Sequence, residues 1–311
     1  MRAAVVREPG ATPVLEQFAD PRPGPGVSVG TLLAAALNPL DLAFVNGRFP
    51  LRPLRPPCVA GYEGVVQLAD GSRRYVTAPP SPYGTLAESV PVPDADGFPV
   101  PAGLDPALAA ALGIAGLAGW IALDHRAQLQ PGESVLVLGA GGSAGRLAVR
   151  SARVLGAGRV VGAARGKDLP QALGLGADAV VDLADEGAVD EGLAAAAPGG
   201  YDVIVDFLWG GFAPLAMNHA TAGARYIQVG NSAGAAATIV GPVLRNKPMT
   251  LIGHGLFVTP VEVRRSAYAR LAGHAAAGEF TMDLERTRLE DIGATWEHLE
   301  NGAARKLVVT P

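Results

Sequence analysis

Cysteine is nearly missing from this chain: Cys58 is the only one in 311 residues. One thiol cannot close an internal disulfide, and it excludes any multi-cysteine zinc site. The resulting expectation is a reducing, cytoplasmic compartment. Charge is also scarce, with Asp, Glu, Lys and Arg at 17% and aromatic residues at 5%. Hydrophobic residues reach 49%, the content of a well-buried globular protein and not of a disordered one. No basic stripe is present and the formal net charge is −4, which argues against a nucleic-acid partner. The opening residues Met1–Gly10 contain no uninterrupted apolar core, so no secretory leader is expected. Between Asp105 and Asp124, 18 residues carry no charge, the lower limit for a membrane span. They are mostly Ala and Gly, and Asp105-Pro106 reads as the start of a soluble helix, an acidic N-cap followed by proline in the first turn. A buried helix, with no membrane association, is the expectation.

Glycine and proline are plentiful, at 41 and 26 residues, and they separate two textures. The first third is short strand-like runs broken by prolines at Pro21, Pro23 and Pro25, at Pro53, Pro56 and Pro57, and at Pro79, Pro80 and Pro82. That punctuation suits a compact, partly open β structure with irregular connections. Beyond it, strands are predicted at Val135–Leu138, Arg159–Ala163, Ala179–Asp182, Val203–Asp206, Arg225–Val229 and Thr250–Gly253. Helices around Ala144–Leu155, Leu169–Leu173, Val189–Ala197 and Ala213–Ala220 fall between them. The alternation predicts an α/β fold with a doubly wound parallel sheet, its strands buried on both faces. Helices at Val261–Ala277 and Leu289–Glu300 precede a strand beginning at Lys306, which is expected to rejoin the N-terminal domain. The domains read as 1–113 with 256–311, and 114–255.

The most informative segment runs from Ser134 to Gly145, an apolar strand ending in a glycine-rich turn that opens into a helix. This is the grammar of a dinucleotide-binding unit. Gly139 permits the tight turn, Gly142 lets the backbone approach a pyrophosphate, and Gly145 lets the helix pack closely. The first helical N–H groups, at Ser143 and Ala144, face the phosphates. At the end of the second strand, residues 162–167 offer Arg165 and Lys167 and no acid. An acid there would hold the ribose of NAD, whereas two cations favour the 2′-phosphate of NADPH, with Arg165 suited to bidentate recognition. Gly230 and Asn231 follow the fifth strand and Leu256 the sixth, at the carboxyl edge where open α/β sheets bind ligands. His254 reads as a structural hydrogen-bonder.

Further segments occur in the order of a known family. Residues 36–41 include Asn38-Pro39-Leu40-Asp41, similar to an N-P-x-D stretch; Gly61-Tyr62-Glu63-Gly64 is similar to a G-x-E-G turn; residues 83–88 are similar to a G-x-[FL]-A-E stretch. With the glycine-rich turn and Arg305–Val308, the chain resembles the zinc-independent medium-chain dehydrogenase/reductases of the quinone oxidoreductase group. The resemblance implies a Rossmann domain plus a mostly β, GroES-like catalytic domain. It implies NADPH-dependent reduction of a quinone or of a carbon–carbon double bond conjugated to a carbonyl, and a homodimer joined through the edges of the nucleotide sheets. In the zinc-dependent relatives a cysteine takes the place of Asn38 and a histidine that of Tyr62, so no catalytic metal is expected.

The substrate side then falls to Asn38, as donor to an oxyanion, with Asp41 orienting it and Tyr62 as a second donor. The plainer roles stay open: Asn38-Pro39 and Asp41 as a turn capping a short helix, and Tyr62 as a half-buried aromatic. Glu63 reads as a buried structural carboxylate. Lys306 reads as reaching the cofactor phosphates or as lying along a strand edge. Two other functions fit the same features, a tailoring enoyl reductase for a bulky intermediate and a non-catalytic NADPH-binding sensor.

Overall fold

The computed structural model describes residues 1–49 and 52–311. The chain divides into two compact units, one formed by Met1–Gly113 with Tyr268–Pro311, the other by Ile114–Ala267.

In the second unit six parallel strands lie in the order Ala179–Asp182, Arg159–Ala164, Ser134–Leu138, Tyr201–Asp206, Ala220–Gln228 and Thr250–Gly253. Counted along the chain this is 3-2-1-4-5-6, the doubly wound order whose reversal lies beside the first strand. Register places Val137 between Gly162 and Val205. Both faces of the sheet are buried at its centre. One carries Leu136, Val161, Ile204 and Tyr226, and the other Val135, Val160, Val203 and Ile227. Period-two alternation is therefore absent from these strands, and apolar runs mark them instead. The strand at residues 220–228 begins earlier than its apolar pattern suggests, because Ala222 and Gly223 in its first half are exposed.

The first unit is built from antiparallel pairing. A three-stranded sheet holds Arg2–Val6 between Val14–Gln17 and Cys58–Val59. A seven-stranded sheet centres on Val27–Ala36, which pairs with Glu63–Gln67, Ser89–Pro93 and the C-terminal strand Lys306–Thr310. The strand Leu284–Arg288 runs parallel to that last one at the edge. With three charged residues in five it gives no apolar strand signal, and it stands on its pairing with residues 306–310.

Helix Pro106–Arg126 begins as expected, with Asp105 accepting from the Ala107 N–H at 3.1 Å. It is the one helix among the described residues that is long and apolar enough to cross a membrane, and 83% of its apolar window is buried within the protein.

Candidate functional site

The glycine turn is built as the spacing requires. Gly139 has φ +90°, and its N–H and that of Ala140 both donate to Ala163 O at 2.9 Å, tying the turn to the second strand. A Cβ on Gly145 would lie 2.0 Å from Gly139 O, so only glycine lets the helix Ser143–Val154 start this close to the turn. Gly142 differs. A Cβ there would meet only Gly139 O, at 3.7 Å, so its protein surroundings do not demand glycine. The intrahelical ladder starts with Arg146 N–H to Gly142 O at 2.9 Å, leaving the N–H groups of Ser143, Ala144 and Gly145 at the positive end of the helix. The open face of Gly142 and this helix start fit a dinucleotide pyrophosphate.

Around the turn the charges are mixed. Arg165 and Lys167 are exposed on the loop after the second strand. The next residue, Asp168, lies outside the span read as free of acids. Its Cβ sits 2.7 Å from where a Gly141 Cβ would stand, and its carboxylate is 3.5 Å from Arg146. Asp182, at the end of the third strand, approaches Gly166 in the same way, at 3.1 Å. The sequence signal for this acid is Asp168 itself, directly after Lys167.

At the carboxyl ends of the fourth and fifth strands, buried Asp206 organises the loops. It accepts from the Leu208 and Trp209 N–H groups at 2.7 and 2.9 Å and from the Tyr226 hydroxyl at 2.6 Å. Burial pushes its carboxyl above the ordinary value, and these donors oppose the rise. Asp206 O accepts from Gly230 N–H at 3.1 Å, while Asn231 beside it is exposed. Leu256 is buried, as is His254, whose two ring nitrogens have no hydrogen-bond partner. The hydrogen-bonding role read for His254 is therefore confined to its backbone N–H, which donates to Gln228 O at 2.8 Å.

In the first unit, Asn38, Asp41, Glu63 and Lys306 converge in one buried network, each 6% exposed or less. Asn38 is the N-cap of helix Pro39–Val45, with Pro39 in the first turn, and its N–H donates to Asp41 Oδ2 at 2.7 Å. The Asn38 side chain is committed at both ends. Its Nδ2 donates to Glu63 Oε1 at 2.7 Å and to Ala36 O at 3.5 Å, and its Oδ1 accepts from Lys306 Nζ at 2.5 Å. Lys306 Nζ lies 3.5 Å from Glu63 Oε1, and the Tyr75 hydroxyl donates to Glu63 Oε2 at 2.7 Å. The Tyr75 ring stacks on Tyr268 with centroids 4.5 Å apart. A Cβ on Gly113 would fall 2.2 Å from both Glu63 Oε2 and the Tyr75 oxygen, so glycine lets the chain approach this pair.

Two expectations change here. Lys306 does not lie along a strand edge: its strand lies between Val27–Ala36 and Leu284–Arg288, and its ammonium turns inward to Asn38 Oδ1. Asn38 has no spare donor for an oxyanion, because Glu63 and Ala36 take its amide hydrogens. Burial dominates the titration of Asp41, pushing it from 3.8 up to about 7, with the Asn38 N–H opposing, Glu63 adding to the rise, and Lys306 and the Tyr62 N–H opposing. Burial likewise pushes Lys306 down, while Glu63 and Asp41 hold it up.

Tyr62 thus meets the network through its backbone, while its ring is buried in edge contact with Phe44 and Phe49, at centroid distances of 6.3 and 5.5 Å. Arg52 lies over Tyr62 and Phe44, 5.6 and 4.9 Å from their centroids. Among the described residues no three His, Cys, Asp or Glu side chains group as a metal site.

Residues 144–269 match the family described as zinc-binding dehydrogenase. The quinone oxidoreductase of Rattus norvegicus is 32% identical over 223 residues, 67% of this chain and 66% of that protein. The chloroplastic NADPH-dependent alkenal/one oxidoreductase of Arabidopsis thaliana is 32% identical over 198 residues, 56% of this chain and 48% of that protein. The chain thus spans less than two thirds of the length of these curated relatives. The crystal structure of the quinone oxidoreductase of Thermus thermophilus, also solved in complex with NADPH, is 29% identical, covers 100% of both chains and superposes with a TM-score of 0.82. Sheet order, glycine turn and these likenesses agree: the chain belongs to the medium-chain dehydrogenase/reductase family, in its quinone oxidoreductase group.

Proposed function

We propose that this protein is an NADPH-dependent reductase that transfers hydride to a quinone or an α,β-unsaturated carbonyl compound without a catalytic metal ion. The observation that carries the reading is the Lys306–Asn38 bond. At the position matching a zinc-ligand cysteine in the zinc-dependent relatives, this chain has an amide oxygen already held by its own ammonium. A second cation at that oxygen would meet direct charge repulsion, and neither Asn nor Tyr is a usual zinc ligand. The residues do not fit zinc. The named activities of the rat, Arabidopsis and Thermus proteins support the acceptor class and the nicotinamide cofactor.

The bound cofactor supplies the hydride. Gly139, Gly142, Ser143, Ala144 and Gly145 hold its phosphates, Arg165 and Lys167 its 2′-phosphate, and Gly230, Asn231 and Leu256 its nicotinamide end. Tyr62 donates to the acceptor oxygen, and one well-placed donor is worth about 3 kcal/mol in the transition state. Asn38 and Asp41 act as positioning residues, since their hydrogen bonds fix the helix that carries Phe44 against Tyr62. Conjugated acceptors are electrophilic at carbon, so orientation supplies much of the remaining acceleration. A cytoplasmic homodimer completes the reading, supported by the unpaired edge strand Thr250–Gly253 with Leu251 exposed.

Asp168 and Asp182 favour a second reading of the cofactor, since acids at this edge hold the ribose hydroxyls of NAD. Following NADPH and NADH absorbance with 1,4-naphthoquinone and simple enones separates the cases. Acceptor-dependent oxidation with NADPH preferred is expected, and Arg165→Ala should reduce that preference tenfold or more. Unchanged preference removes Arg165 from the site, and tight NADPH binding without turnover for any acceptor identifies a sensor.

A further inference from the structure

We propose that Arg52 recognises a negative charge on the acceptor, so that within the quinone and enone class this protein selects compounds bearing an ionised hydroxyl or carboxylate. The inference rests on the reductase reading for its substrate class, and on the first unit alone for its geometry.

Arg52 stands in a proline-rich stretch that the sequence marks only as irregular. Its guanidinium is half-buried against two aromatic rings, Phe44 and Tyr62. One terminal nitrogen, Nη2, donates to Pro79 O at 2.7 Å and to Tyr83 O at 2.9 Å. Those bonds fix the plane of the fork but bring no counter-charge. The other, Nη1, is buried and has no hydrogen-bond partner. Burial lowers the Arg52 pKa, and the groups that raise it are the Tyr62 phenol and the Cys58 thiol, with no carboxylate among them.

Other arginines of this chain behave differently. Arg2, Arg153, Arg225 and Arg286 each face a carboxylate. Arg52 is thus a partly desolvated cation with two donor hydrogens left over, an arrangement that is costly unless an anion completes it. A clamp on residues 79–83 needs Nη2 alone and does not account for Nη1. The rigid fork suits a carboxylate or an enolate-like oxygen, and Tyr62, the proposed donor to the acceptor oxygen, lies beneath the same guanidinium.

The test compares 1,4-naphthoquinone with 2-hydroxy-1,4-naphthoquinone, whose hydroxyl is ionised at neutral pH, in the wild type, Arg52→Gln and Arg52→Lys. The ratio of kcat/KM for the anionic over the neutral acceptor should fall about 10- to 100-fold in Arg52→Gln, the loss of one charge-assisted hydrogen-bonding group, and less in Arg52→Lys. Titration of the two compounds without cofactor, followed by tryptophan fluorescence, should give the same loss in affinity for the anion. Equal losses for both acceptors would reduce Arg52 to a clamp and overturn the inference, as would an unchanged ratio. So would a wild type that binds the anion no more tightly than its neutral analogue, whatever the variants do. If neither compound is reduced but Arg52-dependent anion binding remains, the reductase reading falls and this inference stands.

Discussion

Asp41 carries the strongest link between a single side chain and a measurable bulk property. Its carboxyl is raised from 3.8 to about 7, chiefly by burial. At this site the native protein therefore holds a proton that the unfolded chain has lost between about pH 4 and 7, and the group's contribution to stability is lost as pH rises through that interval. His254 has the opposite sign. Burial, with Arg126 and His125 nearby, lowers it from 6.5 to about 4, so its contribution is lost as pH falls. Asp41→Asn keeps an oxygen for the Asn38 N–H and removes the titration. Urea unfolding of the two proteins should show the variant gaining on the wild type from pH 4 to 7, by on the order of 4 kcal/mol. A difference independent of pH would mean that Asp41 is ionised throughout. The sequence placed Asn38 and Asp41 together but left cap and site as alternatives. The structure makes them one object, because the cap's own side chain is what Lys306 and Glu63 hold. That partnership was not legible, since Lys306 and Asn38 are 268 positions apart and only sheet pairing brings them together.

At the scale of elements, the glycine turn separates folding from binding. Gly145→Ala drives a Cβ into Gly139 O and should cost about 1–3 kcal/mol of stability, as overpacking does elsewhere, together with cofactor binding. Gly142→Ala meets only Gly139 O, at an ordinary contact distance of 3.7 Å, so its thermal midpoint should stay near the wild type while NADPH affinity falls tenfold or more. Calorimetry and fluorescence titration of both variants check this, and full affinity in Gly142→Ala would remove the turn from the phosphate site. The central parallel strands were legible because strands buried on both faces read as apolar runs between Gly and Asp. The edge strand Leu284–Arg288 was not, because three of its five residues are charged and its backbone pairs only with residues 306–310 among the described strands. The role of Asp168 was not legible for a different reason: it follows Lys167 directly, but its packing on Gly141 depends on how the loop returns to the turn.

At the scale of the molecule, the order 3-2-1-4-5-6 leaves Thr250–Gly253 as a sheet edge with Leu251 at 43% exposed and nearby Leu244 at 40%. Unpaired edges of this kind invite a second strand. Light scattering should give a dimer, and Leu251→Lys should shift it toward monomer with the fold intact; a monomeric wild type at micromolar concentration would contradict the assembly. Metal-free catalysis is the claim on which the functional account turns, and the zinc content of active protein tests it most directly. Elemental analysis of purified, NADPH-oxidising enzyme should find far less than one zinc per chain, with activity surviving exhaustive chelation. One zinc per chain, with activity lost on its removal and restored on its return, would contradict it.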